Sequence, residues 1–227
     1  MKNTDFLFRQ FRARTHPLRP FQIGIFGVPG CGKSVYAREV VRLAARPQLL
    51  KDGSCTGTRV VVHDPVGNWE AEGIGAWSAE DRGGMMADRP RLPLMPWKTH
   101  RDKWPLTVIS DDELLKFCQS EDCRDYIVVF DEGDDQAVHD AKSPLNRMLS
   151  RRRHRQLAIV WCSQRLLSMP VNTRNYAEFF TLFHIHNEND IAAVKNLPRT
   201  PKDAQTLIPS LSIENHEYIE IPVRRVC

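Results

Sequence analysis

Apolar and β-branched residues are concentrated in short runs along the chain, each of strand length and separated from the next by polar segments. Most of these runs are apolar at successive positions instead of alternating, which is typical of strands that are buried on both faces of a parallel sheet. We therefore interpret five runs as strands: FQIGIFG (21–27), TRVVVHD (58–64), DYIVVFD (125–131), LAIVWCS (157–163) and FFTLFHI (179–185).

Segments with a helical period lie between several of these runs. KSVYAREVVRLAA follows the first predicted strand, DDELLKFCQ precedes the third, and PLNRMLSRRR precedes the fourth. Because strands and helices alternate in α/β domains, we expect a mainly parallel central sheet that is flanked by helices. A chain of 227 residues has the length of one such domain, which we assign to residues 21–227.

Two segments depart from this pattern. Residues 65–105 are rich in Gly, Pro, Trp and Met and have no clear period, which predicts an irregular insertion inside the single domain. Residues 1–20 contain five basic residues against Asp5 alone, interleaved with phenylalanines. This segment is either a basic arm that binds DNA or a neighbouring subunit, or a terminal helix whose phenylalanines pack on the domain.

Composition excludes some classes of protein. The net charge of +4 permits a polyanionic partner without requiring one. No run approaches the roughly 18 to 20 apolar residues of a membrane helix, and the N-terminus lacks the apolar core of a secretory signal, so we expect a cytosolic chain without a membrane span. The six cysteines form no CxxC pair and are expected to be reduced, mostly buried thiols instead of metal ligands.

Candidate chemistry begins after the first predicted strand, where the pattern G-x-x-x-x-G-K-S connects a strand to a helix. In this context, backbone N–H groups and the helix N-terminus converge on a concavity that suits the phosphates of ATP. We expect Lys33 to neutralise charge on the β- and γ-phosphates and the Ser34 hydroxyl to bind Mg²⁺. The expected nucleotide-binding residues are Gly27, Val28, Pro29, Gly30, Cys31, Gly32, Lys33 and Ser34.

Polar residues also follow the third and fourth predicted strands. Asp131 and Glu132 come directly after YIVVF, and adjacent residues of a continuing strand point to opposite sides. We therefore expect Asp131 to hold the Mg²⁺ and Glu132 to polarise an attacking water. Gln164 follows LAIVWCS, and its amide reaches the γ-phosphate if that strand lies beside the strand of the phosphate loop. These residues predict hydrolysis of ATP.

With these elements in order, the chain resembles the FtsK/HerA branch of P-loop motor ATPases over most of its length, from residue 21 to residue 195. VVVHDPVGNW is similar to the DPxGE segment of HerA-like proteins, although His63 precedes Asp64 and Asn68 replaces the usual glutamate. The segment from RRRHRQ through SQR to the next strand is also similar to that branch. Within it, the short length and the RRRHRQ block resemble genome-packaging ATPases of tailless, membrane-containing icosahedral viruses.

The resemblance implies a RecA-like (ASCE) P-loop fold in which the Gln164 strand lies between the phosphate-loop strand and the Asp131 strand. It also implies a homo-oligomeric ring, usually a hexamer, around double-stranded DNA, in which a neighbour's arginine completes each site, and Arg153 matches the family's candidate. The implied function is ATP-driven packaging of viral DNA into a preformed capsid. Its implied partners are capsid or portal-vertex proteins, in the host cytoplasm or at the packaging vertex of the virion.

Alternatives stay open at several points. The arginine block of residues 147 to 155 is interpreted as the source of a trans-acting arginine finger, as a DNA contact, or as a solvated helix face. The chain also resembles zonula-occludens-toxin-like phage assembly or export ATPases, which share the RHR block but usually carry a membrane helix. A nucleotide-binding scaffold or a small-molecule kinase is a third candidate. His184 and His186 are interpreted as structural or exposed residues.

Overall fold

A computed structural model of the chain describes residues 6–12, 20–45, 48–49, 55–56, 58–65, 69, 106–109, 111–121, 123–132 and 144–223. These residues build one seven-stranded sheet with helices on both of its faces, and a separate two-stranded hairpin. The strands are β1 (Gln22–Phe26), β2 (Gln48–Leu49), β3 (Cys55–Thr56), β4 (Arg59–His63), β5 (Leu106–Ile109), β6 (Tyr126–Phe130), β7 (Ala158–Ser163), β8 (Phe179–Leu182) and β9 (Ile219–Pro222).

The helices of the described residues lie mostly between these strands. Helix α2 follows β1 after a loop of residues 27–32, α3 and α4 precede β6 and β7, and α5 precedes β8. The helices are α1 (Phe6–Arg12), α2 (Lys33–Ala45), α3 (Asp111–Gln119), α4 (Pro144–Ser150), α5 (Val171–Asn175), α6 (Glu188–Val194) and α7 (Ala204–Leu207), with 3₁₀ turns at Leu166–Ser168 and Ile208–Ser210.

The order of strands in the sheet is β5-β4-β6-β7-β1-β8-β9. Every neighbouring pair is parallel except β8 and β9, which pair antiparallel at one edge. Strand β7, which ends at the residue before Gln164, pairs with β1 on one side and with β6 on the other. The expected position of the Gln164 strand between the phosphate-loop strand and the Asp131 strand is thus confirmed.

Both faces of the sheet are covered by apolar layers. Along β4, Val60 and Val62 belong to the layer that includes residues of α1 and α2, whereas Val61 belongs to the layer with α3 and α4. The same alternation occurs in β6, where Val128 and Val129 pack on opposite faces. Because successive side chains point to opposite faces, a strand covered on both sides must be apolar throughout. The runs that predicted a parallel sheet therefore reflect this two-sided burial.

Sequence patterns placed some element ends wrongly and did not predict β5 and β9. The run FFTLFHI forms a strand only as far as Leu182, and β9 was missed although it is the antiparallel partner of β8. The predicted helix PLNRMLSRRR ends at Ser150. Beyond it the chain turns, since Gln156 has a left-handed φ of 53° and the backbone N–H of Leu157 donates to Arg152 O at 2.8 Å.

Helix α1 lies at the start of the described chain and packs on the layer formed by α2. The ring of Phe8 is 4.8 Å from that of Tyr36, and the ring of Phe11 is 5.5 Å from that of Phe21, whereas Arg9 is exposed. Residues 6–12 thus form a terminal helix with packed phenylalanines. The predicted basic arm apart from residues 6–12 and 20, and the predicted insertion 65–105 apart from residues 65 and 69, are not among the described residues.

Candidate functional site

The loop between β1 and α2 begins at the carboxyl edge of the sheet, in its centre. Its backbone is held from both sides, because Gly27 N donates to Ser163 O at 3.3 Å and Val28 N donates to His184 O at 2.9 Å. Helix α2 then begins at Lys33 and has no acidic residue in its first turn. The partial positive charge of this helix N-terminus is therefore available to an anion.

Two glycines of the loop are required by their surroundings. A Cβ at Gly27 would lie 2.6 Å from the Cβ of Phe183, so no side chain fits between the loop and the segment after β8. Gly32 has a φ of +99°, which L-residues rarely adopt, and a Cβ there would lie 3.1 Å from the ring of His216. The spacing of these glycines in the sequence thus reflects close backbone approaches.

Lys33 lies along the loop, and its ammonium Nζ donates to Val28 O at 3.0 Å. The side chain is largely buried, at 6% exposure, so its charge is directed into the concavity of the loop. Cys31 is also buried in the loop, and burial raises the pKa of its thiol above the ordinary value. A neutral thiol contributes no charge that would compete with a bound phosphate.

Asp131 follows β6 and lies opposite the start of α2. Its Oδ1 accepts a hydrogen bond from Ser34 Oγ at 3.3 Å, and its Oδ2 accepts one from the indole N–H of Trp69 at 2.8 Å. Burial raises the pKa of this carboxyl, and the charge of Asp64 adds to the rise, whereas the two hydrogen bonds lower it. The two residues expected to hold Mg²⁺ are thus brought within hydrogen-bonding distance.

Glu132 points away from Asp131 and toward the end of β7. Its carboxylate Oε2 accepts a hydrogen bond from the side-chain amide of Gln164 at 3.1 Å. The divergence of the two acids does not arise from strand alternation, as the sequence suggested, because β6 ends at Phe130. It arises in the following turn, where Glu132 has a left-handed φ of 55°. Such a conformation in a residue other than glycine is uncommon and often occurs at functional sites.

Arg153 does not lie with these residues. It belongs to the turn that precedes β7, at the amino edge of the sheet, and a strand of this length separates the two edges by about 15 to 20 Å. Its side chain is 62% exposed and lies 3.8 Å from the carboxylate of Glu178. Arg153 is therefore remote from the phosphate loop of its own chain.

Arg152 and Arg155 contact other parts of the fold and do not lie on a solvated helix face. Arg152 is 3% exposed; it donates to Gln22 Oε1 at 2.5 Å and pairs with Glu178 at 3.4 Å. Burial raises the pKa of Glu178, and the charge of Arg152 opposes that rise. Arg155 donates to the carbonyl oxygens of Cys118 and Ser120 at 3.1 and 3.2 Å. The interpretation of the block as one exposed surface is wrong for these two residues.

A group of histidines lies on the other side of the phosphate loop. His184 Nδ1 donates to Leu211 O at 2.9 Å, and its Nε2 is 2.9 Å from Nδ1 of His186. His184 is half-buried and His186 is exposed, as expected. No cluster of three or more metal-ligating side chains occurs in the part of the chain that the structure describes.

Sequence reasoning assigned no role to Trp69 or His216, although both lie against the site. Trp69 donates hydrogen bonds to the carboxylates of both Asp64 and Asp131. His216 lies beside Gly32, almost 200 residues later in the chain. No periodicity or motif connects such distant positions. The one feature of the sequence that could have indicated a place for Trp69 near the site is its position in the DPVGNW segment.

Comparisons with known proteins agree with this fold. No protein-family model and no curated protein sequence matches the chain. The fold is similar to that of the genome packaging NTPase B204 from Sulfolobus turreted icosahedral virus 2 in complex with sulfate. The TM-score is 0.60 and the sequence identity 12%, over 93% of this chain and 94% of that chain. The same NTPase in complex with ATP-gammaS gives a TM-score of 0.60 and 13% identity over 92% and 94% of the two chains.

A weaker similarity is found to the N-terminal domain of zonular occludens toxin from Neisseria meningitidis, with a TM-score of 0.42 and 15% identity over 75% of this chain and 79% of that chain. The stronger matches show the fold, and the expected RecA-like P-loop NTPase fold is confirmed. Among the described residues, no helix combines the length and apolar character needed to cross a membrane.

Proposed function

We propose that the protein is an ATPase that drives double-stranded DNA, most specifically a viral genome, into a preformed capsid. The observation that carries the hydrolytic part is the arrangement at the carboxyl edge of the sheet. There the start of α2, the Asp131 carboxylate and the Gln164–Glu132 pair lie around one phosphate loop. A binding-only loop would not need a second carboxylate that is oriented by an amide.

The oxygens of Ser34 and Asp131 suit a magnesium ion. Mg²⁺ prefers oxygen ligands at about 2.0 to 2.1 Å in an octahedron, so two adjacent ligands lie about 3 Å apart. Ser34 Oγ and Asp131 Oδ1 are separated by 3.3 Å. These two residues would hold the ion, which when bound neutralises phosphate charge during phosphoryl transfer.

Each of the other residues has a distinct task in this proposal. Lys33, held at the loop by its contact with Val28 O, balances charge on the β- and γ-phosphates. Glu132 accepts a proton from the attacking water, and the amide of Gln164 holds the Glu132 carboxylate in the required orientation. Because the two acids point to different partners, metal binding and water activation are divided between them.

The position of Arg153 supports an assembly in which sites are completed between subunits. An exposed guanidinium at the amino edge, far from the chain's own phosphate loop, can reach a nucleotide only in a neighbouring subunit. A head-to-tail ring, usually of six subunits, juxtaposes opposite edges of adjacent copies in this way. An arginine supplied in trans contributes about 10³- to 10⁵-fold to the rate in other phosphoryl-transfer enzymes.

The packaging role extends the function of a structural neighbour to this chain. B204 of Sulfolobus turreted icosahedral virus 2 is described as a genome packaging NTPase, and this chain shares its fold over more than nine-tenths of both lengths. We propose the same role here, with capsid or portal-vertex proteins as partners and a place at the packaging vertex or in the host cytoplasm. Contact with DNA phosphates should then weaken steeply as salt is raised.

The test measures phosphate release from ATP with and without duplex DNA. Wild-type protein should hydrolyse ATP faster with DNA, and both Lys33→Ala and Glu132→Gln should abolish hydrolysis. Matched controls are Lys116→Ala and Glu121→Gln, which change exposed residues of the same types away from the phosphate loop. Both controls should retain wild-type rates.

The outcomes separate the two parts of the proposal. An active wild type that is unaffected by Lys33→Ala and Glu132→Gln contradicts the site. Activity that depends on both residues but never on DNA contradicts the motor function and leaves the ATPase. A subunit that stays monomeric with nucleotide and DNA, measured by light scattering, contradicts the ring.

A further inference from the structure

We infer that Trp69 is a positioning residue for the metal-binding carboxylate of Asp131. The geometry places the Trp69 indole N–H 2.8 Å from Asp131 Oδ2, whereas Ser34 contacts Oδ1. The inference rests on the proposed function, because it concerns the carboxylate that we assign to Mg²⁺. It adds a residue that neither the phosphate-loop motif nor the two acids after β6 include.

The two oxygens of Asp131 are not equivalent in this arrangement. A carboxylate rotates over broad wells about its terminal torsion, so a single contact does not set its orientation. With Oδ2 bound to the indole and Oδ1 directed at Ser34, the plane of the carboxylate is defined at both ends. Partners in the outer shell of metal sites orient the ligands in this way, and their loss typically costs about 10- to 100-fold in metal affinity.

Trp69 is itself held at several points. Its backbone N–H donates to Asp64 Oδ2 at 2.6 Å, directly after β4. The guanidinium of Arg38, on α2, lies 5.4 Å from the centre of its ring. The side chain is 1% exposed, so solvent does not compete for the indole N–H. Trp69 thus connects the end of β4 and the helix of the phosphate loop to the carboxylate after β6.

Packing alone does not explain this contact. Trp161 in β7 is also fully buried, and its indole Nε1 has no hydrogen-bond partner among the described residues. The fold therefore tolerates an indole whose N–H is unused, and a tryptophan that only fills space has no need to reach a carboxylate. The contrast between Trp69 and Trp161 also provides a matched pair of variants.

The experiment compares Trp69→Phe with Trp161→Phe in the full chain. Each variant replaces a buried indole with a phenyl ring, but only Trp69→Phe removes a hydrogen bond to Asp131. ADP affinity is measured by calorimetry in EDTA and in Mg²⁺. In EDTA, Trp69→Phe should bind ADP with the affinity of the wild type. In Mg²⁺, its affinity for ADP should be about 10- to 100-fold lower than that of the wild type. Trp161→Phe should keep the full gain in affinity from Mg²⁺.

A second measurement uses the wild-type chain, so that it does not depend on the folding of Trp69→Phe. The indole ¹⁵N–¹H signal of Trp69 should shift when Mg²⁺ is added to the ADP complex, and that of Trp161 should not. If Trp69→Phe and Trp161→Phe gain the same ADP affinity from Mg²⁺, or if the Trp69 signal does not shift, the inference is overturned and the proposed ATPase stays intact. A wild type that binds no ADP in either condition overturns the proposed function and this inference with it.

Discussion

The two edges of the central sheet differ in how they hold charged residues. At the carboxyl edge, Glu132 and Gln164 are accessible and contact each other through one hydrogen bond of 3.1 Å. At the amino edge, Arg152 is buried and is held by Gln22 and Glu178. Strand β7 joins both groups. The carboxyl edge leaves its Glu132–Gln164 pair accessible, whereas the amino edge encloses Arg152 and leaves the neighbouring Arg153 in solvent.

Charged residues that are adjacent in the sequence can have very different surroundings in the fold. Arg152 and Arg153 are neighbours, yet one is 3% exposed overall and the other keeps 62% of its side chain in solvent. Both approach the same carboxylate, that of Glu178, at 3.4 and 3.8 Å. Because the buried pair is removed from water and the exposed pair is not, their substitution should have different consequences.

The rate of ATP hydrolysis should fall most when Arg153 is replaced. If Arg153 completes a neighbour's site, Arg153→Ala lowers DNA-stimulated ATP hydrolysis about 10³-fold or more, as for other arginine fingers. An equimolar mixture of Arg153→Ala and Lys33→Ala subunits should recover activity, because some sites then combine an intact phosphate loop with an intact arginine. Steady-state phosphate release measures both results.

The open alternatives for Arg153 predict other outcomes. No recovery in the mixture, with hydrolysis of the Arg153→Ala variant unchanged in the absence of DNA, would identify a DNA contact. Unchanged hydrolysis and unchanged DNA affinity would identify plain surface. Arg199→Ala, at an exposed arginine elsewhere in the chain, is the control and should behave as wild type.

The next largest effect is on stability when Arg152 is replaced. Arg152→Met keeps the apolar stem but removes the buried cation of Glu178 and leaves only the exposed Arg153 near that carboxylate, which should cost about 3 to 5 kcal/mol in the free energy of unfolding. The matched variant Arg153→Met removes an exposed pair and should cost at most about 1 kcal/mol. Urea denaturation measures both. Equal losses would contradict the contrast between the two arginines.

A smaller effect is expected when Gln164 is replaced at the carboxyl edge. Gln164→Ala removes the amide that orients Glu132 and should lower kcat about 10- to 100-fold. This loss is smaller than the full contribution of a general base, which is about 10²- to 10⁴-fold. KM for ATP should change little, because Gln164 does not belong to the phosphate loop. Gln119→Ala, at an exposed position on α3, serves as the control. A change in KM alone would assign Gln164 to binding.

The smallest effect concerns thiols at the amino edge, near Arg155. Burial raises the pKa of Cys118 to about 12 and that of Cys123 to about 11, from 9.0. The folded thiols stay protonated while the unfolded ones ionise above pH 9. The stability that they contribute is therefore fully present below pH 9, falls as the pH rises above 9, and is lost once the pH has risen through 11 to 12.

The measurement for these thiols is the free energy of unfolding of wild type and of the double variant Cys118→Ala, Cys123→Ala. Between pH 9 and pH 10, the wild type should lose about 2 kcal/mol more than the variant. Parallel pH profiles would show that the two thiols are not enclosed as the amino edge suggests. Urea titrations with a reductant present exclude disulfide formation.

Much of the fold follows from local sequence, and the residues show why. The strands β1, β4, β6 and β7 were found because burial on both faces leaves uninterrupted apolar runs, and α2 and α3 were found within their observed bounds. Strand β9 was missed because IEIP contains an acid that is buried by tertiary contacts. Its Glu220 accepts hydrogen bonds from Phe6 N and from the hydroxyl of Tyr36.

The phosphate-loop motif, the two acids and the glutamine can be recognised in the sequence, because each lies within a few residues of a strand end and parallel strands bring their carboxyl ends to one edge. In contrast, the fold sets which arginine of the block is enclosed and which is exposed, and it brings Trp69 to Asp131. The physical reason is that burial and hydrogen-bond partners depend on residues far away in the chain, which no local period or spacing encodes.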